Sequence, residues 1–63
     1  MNGQKLRELR KASGKTLRQI SYEADVTENQ IIQIENGVTK NPRIDTLMNL
    51  AKALDCDIKD FLD

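Results

Sequence analysis

Two Thr-x-x-Gln units, Thr16-Leu17-Arg18-Gln19 and Thr27-Glu28-Asn29-Gln30, stand eleven residues apart. In each, the Thr hydroxyl can accept a hydrogen bond from a free N–H of a helix's first turn. The Gln three residues on can accept one from the Thr N–H, which makes each unit a capping box. Covalent and acid–base chemistry find little material. The chain has no His, one Cys (Cys56) and three scattered Gly, so it offers no imidazole base, no N/S zinc site and no Gly-rich phosphate loop. We therefore expect neither an enzyme nor a cofactor. Cys56 stands between Asp55 and Asp57, whose charges disfavour a thiolate. The simplest reading is a small, partly buried hydrophobe in a reducing compartment.

The capping boxes need helices behind them, and apolar spacing supplies five. The first spans about Gly3 to Ala12, with Leu6 and Leu9 inward and Gly14 as a left-handed stop. The second covers about Leu17 to Ala24, and the third about Glu28 to Asn36, closed by Gly37. Pro42 holds Asn41 out of helical geometry, so Val38–Arg43 is a loop. The fourth helix spans about Ile44 to Leu54, with Ile44, Leu47, Leu50, Ala51 and Leu54 at helical spacing. Asp57 with Asp60 caps a last short helix containing Ile58, Phe61 and Leu62. No segment alternates with period two, which excludes strands. All five helices are too short to stand alone. They must share one core of Leu6, Leu9, Leu17, Ile20, Val26, Ile31, Ile34, Leu47, Leu50, Leu54, Ile58 and Phe61.

The expectation is thus an all-α chain whose 63 residues form one domain. No apolar run approaches the roughly 18 residues of a membrane span and no signal peptide is visible, so a cytoplasmic location is expected. Tyr22 and Phe61 are the only aromatics, too few for a base-stacking platform. Net charge is zero, but residues 1–43 carry eight basic and five acidic residues, whereas residues 44–63 carry two and five. A basic part and an acidic part fit a nucleic-acid surface; solvated helix faces would show the same split.

The second and third helices are joined by Asp25 and Val26. Two short helices on a tight turn form a helix-turn-helix layout, whose second helix can enter the DNA major groove. Ser21 is small enough for close packing there, Asp25 tolerates the left-handed conformation less well than Gly, and Val26 supplies an apolar plug.

At Ile34-Glu35-Asn36-Gly37-Val38-Thr39-Lys40-Asn41-Pro42-Arg43-Ile44 and at Leu50-Ala51-Lys52-Ala53-Leu54, the chain resembles the phage Cro and cI repressor type of helix-turn-helix domain (lambda-repressor-like, or XRE). The likeness covers essentially its whole length. It implies a compact five-helix fold and a transcriptional regulator, a repressor, that binds pseudo-palindromic double-stranded operator DNA as a homodimer. The third helix then matches the recognition helix. Thr27, Glu28, Asn29 and Gln33 fall on positions that meet base edges. Asn and Gln suit adenine, Glu suits cytosine, and the Thr methyl suits thymine; polar residues at this spacing also describe any solvated helix face. Residues 28–36 contain no Arg or Lys, so the commonest guanine contact is missing.

The resemblance assigns phosphate contacts to Lys40 and Arg43, with Asn36 and the helix end at Thr16 in support. Leu17 replaces a phosphate-binding Gln of many relatives and reads as core; Arg18 and Tyr22 are possible substitutes. Arg10 and Glu35 match an ion pair that holds the recognition helix to the scaffold. Ile32 departs from the pattern, and its sequence position suits a thymine methyl, the edge of the core or a partner equally. A dimer interface is suggested only by likeness, at Asp55–Ile58 and at Phe61 and Leu62. The competing function is an interaction module of the same fold, such as an antitoxin or regulator subunit, whose main partner is another protein.

Overall fold

Asn2 opens α1, Gly3–Ser13: its backbone is extended and its Oδ1 accepts from the Lys5 N–H at 3.1 Å. The computed structural model describes residues 1–62; Asp63, counted above in the acidic part, lies outside the described residues. Both sequence-predicted capping boxes are formed. The Gln19 N–H donates to the Thr16 hydroxyl at 3.1 Å and the Thr16 N–H to Gln19 Oε1 at 2.8 Å, opening α2, Leu17–Ala24. The Gln30 N–H donates to Thr27 at 3.0 Å and the Thr27 N–H to Gln30 Oε1 at 2.8 Å, opening α3, Glu28–Glu35. α4, Ile44–Ala53, follows the loop and starts without a side-chain cap at Arg43. Asn36 and Leu54 cap α3 and α4 rather than belonging to them.

The fifth helix needs correction. Ile58–Phe61 is one 3₁₀ turn, so the described residues form four α-helices and a 3₁₀ turn. The reason is length: after the Asp57 cap, Phe61 must enter the core at once. The Asp60 N–H returns to the Asp57 carbonyl at 2.9 Å, the tighter three-residue closure.

Three helices end alike. After α2, Asp25 is left-handed (φ 56°) and the Val26 N–H reaches back to the Ser21 carbonyl at 3.0 Å. After α3, Gly37 is left-handed (φ 79°) and the Val38 N–H meets the Gln33 carbonyl at 2.9 Å. After α4, Asp55 is left-handed (φ 55°) and the Cys56 N–H meets the Ala51 carbonyl at 2.9 Å. This six-residue closure satisfies carbonyls that a helix end would otherwise leave open.

The core is Leu6, Ile20, Ala24, Ile31, Ile34, Leu47, Leu50, Ala51, Ala53, Leu54 and Phe61. Leu9, Leu17, Val26 and Ile58, expected inside it, are partly buried and pack against its edge. Ile44, in register with the apolar run of α4, is exposed because it sits at the helix's first position, where the core face ends. The packing pairs α2 with α4, α1 with α3 and α2 with α3, while the 3₁₀ turn bridges α1 and α4. At the start of α1, Gly3 lies so close to α3 that an added Cβ would sit 2.7 Å from the Glu35 carbonyl and closer still to that of Ile34. α4 and α1 thus brace the α2–α3 pair, and the 3₁₀ turn ties those two braces together.

Candidate nucleic-acid interface

Ile31 and Ile34 fix the orientation of α3 by entering the core. With about 100° of rotation per residue, the opposite face carries Asn29 and Asn36, flanked by Ile32 and Gln33, with Glu28 at its edge. Thr27, Glu28, Asn29, Ile32 and Asn36 are exposed, and Gln33 is half-buried. Thr27 has its hydroxyl committed to the cap, leaving its methyl as the free group. The side chains of Glu28, Asn29, Gln33 and Asn36 make no hydrogen bond to other described residues, so their donors and acceptors remain open.

The main chain of Gln33 carries a second function. Its carbonyl accepts from the Val38 N–H at 2.9 Å and the Thr39 N–H at 3.1 Å, tying the following loop to α3. That loop brings Arg43 to a cleft also lined by Gln30, Gln33, Thr39, Asn41 and Thr46. The polar side chains around this cleft are neutral or basic, and none is acidic. Gln30 commits its Oε1 to the capping box, so its amide N–H groups are the part left to bond. Lys40 is exposed on the same loop. Thr16 lies outside this cleft, at the N-terminus of α2, its hydroxyl occupied by Gln19. Leu17 packs against the core, and Arg18 and Tyr22 are exposed, Tyr22 at 88%.

Arg10 and Glu35 form a two-pronged pair from α1 to the end of α3. Nε donates to Oε2 at 2.6 Å and Nη2 to Oε1 at 3.0 Å. The Glu35 side chain is only 4% exposed and that of Arg10 20%. The Glu35 hydrogen bond pushes the guanidinium even further above its ordinary value, against a smaller opposing effect of burial. The Arg10 charge is thus held in its ionised state.

Several contributors escaped the sequence reading. Thr39 and Asn41 reach the cleft because the loop folds back on α3, and Thr46 lines it from the first turn of α4. Lys15 donates to the Ala53 carbonyl at the end of α4 and to Glu23 Oε1, both at 2.7 Å. Its partner Ala53 is 38 residues away, and no local pattern announces such a contact. Among the described residues, no group of three or more His, Cys, Asp or Glu could hold a metal ion. Nor, among the described residues, is any helix long and apolar enough to cross a membrane.

A short second helix set on a left-handed turn, with its outward face polar and unpartnered, defines a helix-turn-helix domain. A helix-turn-helix family model matches residues 6–61. The chain belongs to this family, the Cro/cI (XRE) type of DNA-binding transcription regulators. No curated protein matches it. Among solved structures, it is similar to the N-terminal DNA-binding domain of the master biofilm regulator SinR from Bacillus subtilis. The two share 30% identity and a TM-score of 0.84 over 100% of this chain and 91% of that one.

Proposed function

We propose that this domain binds double-stranded operator DNA with sequence preference and represses transcription from it. The observation that carries the reading is the outward face of α3, where hydrogen-bonding side chains are exposed and free of internal partners. Thr27, Glu28, Asn29 and Gln33 meet base edges in the major groove. Lys40, Arg43, Asn36 and the α2 end at Thr16 hold phosphates. Arg10 and Glu35 keep α3 in place. All 63 residues act as one domain, and two copies bind a pseudo-palindrome.

With no Arg or Lys in residues 28–36, α3 supplies selectivity, and the flanking cations supply most of the affinity. Selection of bound duplexes from a random pool, repeated at two salt concentrations, tests this. The expected product contains A·T positions in each half-site and loses affinity steeply with salt. A core of consecutive G·C pairs with no enriched A·T position contradicts the base assignment.

One observation favours a second reading. Tyr22 is 88% exposed on α2, and Tyr is over-represented among residues that anchor protein–protein interfaces. A protein-interaction module of this fold predicts that the same selection enriches nothing.

A further inference from the structure

Ile32 is the apolar member of an otherwise polar face. It is 40% exposed, and it is absent from the partly buried hydrophobics that pack against the core, which are Leu9, Leu17, Val26, Cys56 and Ile58. It is thus more open to solvent than any of those edge residues, which weighs against the edge-of-the-core reading. The structure also places Ile32 on the outward side of α3, one turn after Glu28 and one turn before Asn36. A β-branched residue gains nothing for an exposed position in an eight-residue helix, where straight-chain polar residues propagate helix better. Helix propagation does not account for it, and its outward position leaves it available to a group outside the chain.

Its neighbours decide between the remaining two readings. An anchor for a protein partner needs a contiguous apolar patch around it. Ile32 is instead flanked by Glu28, Asn29 and Gln33 on α3 and by its cap Asn36, whose free groups suit base edges. The apolar group available on base edges in the major groove is the C5 methyl of a pyrimidine. Ile32 lies about 6 Å along the helix from Glu28, which is about two base steps at roughly 3.4 Å each. It is therefore in reach of a base pair different from the one at the N-terminus of α3.

Resting on the DNA-binding reading above, we propose that Ile32 is a specificity-determining residue that packs on a pyrimidine C5 methyl in the major groove. The methyl is that of thymine, or of 5-methylcytosine where the DNA carries it.

The test uses the whole chain and the duplex it selects, with binding followed by fluorescence anisotropy. Each thymine is replaced singly by deoxyuridine, which deletes only the methyl. At one position in each half-site the wild-type protein should lose roughly fourfold in affinity, the value of one buried methyl-sized group. Ile32→Ala should bind the thymine and deoxyuridine duplexes equally while keeping its thermal stability. Ile32→Val should retain most of the discrimination. Cytosine at that position should bind more weakly than 5-methylcytosine, which separates methyl recognition from recognition of the rest of thymine.

A flat deoxyuridine scan overturns the proposal and leaves DNA binding intact. So does discrimination that survives in Ile32→Ala, which would assign the methyl to another residue such as Thr27. Failure to select any duplex overturns the DNA-binding reading, and the proposal with it.

Discussion

Among the polar side chains, loss of Glu35 should be felt in folding. Its carboxylate is almost fully enclosed and meets Arg10 through two hydrogen bonds. Glu35→Ala removes that link and leaves the guanidinium, itself mostly covered, without its partner. Breaking a buried pair costs about 3 kcal/mol, a large share of the stability that a domain this small can hold. We expect a marked fall in melting temperature with little change in base preference among molecules that remain folded. An unchanged melting temperature would contradict the scaffold role.

Cys56 gives a second prediction at this scale. Burial, then the charges of Asp60, Asp57 and Asp55, push its thiol above the ordinary value. The folded chain therefore keeps a proton that the unfolded chain gives up near pH 8.5. The contribution to stability is complete below that pH and is lost as pH rises through the folded value. Iodoacetamide should modify Cys56 more slowly in the native protein than in urea, with the half-maximal rate shifted to higher pH in the native protein. Equal profiles in the two states would refute this.

Between elements, the close approach of α1 to the end of α3 depends on a missing side chain. Gly3→Ala forces a Cβ against the carbonyls of Ile34 and Glu35. The first turn of α1 must then move away and strain the Arg10–Glu35 pair. Overpacking of this kind costs about 1–3 kcal/mol, measurable as a lower urea midpoint; an unchanged midpoint would show that α1 yields freely.

Elements whose determinants lie within a few residues were legible in the sequence. The capping boxes at Thr16 and Thr27 and the stops at Gly14 and Gly37 are local hydrogen-bond chemistry, and they set helix boundaries to within a residue. The last element was misjudged because an apolar period cannot distinguish one 3₁₀ turn from the start of an α-helix. The Asp55 turn passed unnoticed because Asp is tolerated in many conformations. Ala24, Ala51 and Ala53 were missed as core, since small side chains give a weak periodic signal. The Gly3 contact and the Lys15 bond to Ala53 join residues far apart in the chain. The Arg10–Glu35 pair came from family likeness, since no local spacing foretells it.

For the whole molecule, size and charge argue together. The longest extent of the Cα trace is 23 Å, whereas half-sites one helical turn apart are about 34–36 Å from centre to centre. On the proposed reading, one copy is the size for one half-site, and a pseudo-palindrome calls for two. With zero net charge, affinity cannot come from a general positive field. On the proposed reading it comes from a few placed cations, Lys40 and Arg43. If Lys40 and Arg43 act in both copies, log affinity should fall against log salt with a slope of roughly −3 to −4. Lys40→Ala or Arg43→Ala should each reduce that slope by about 2, one phosphate contact per copy. A slope near zero for the wild type would remove phosphate binding from the account.

The double hydrogen bond at the Gln33 carbonyl has a consequence for how such a domain can change. The segment that bears Lys40 and Arg43 hangs from the main chain at position 33, while the side chain at that position makes no hydrogen bond to other described residues. Exchanging that side chain leaves the suspension untouched. A lineage could therefore rewrite the word it reads, one letter at a time, without loosening its hold on the page.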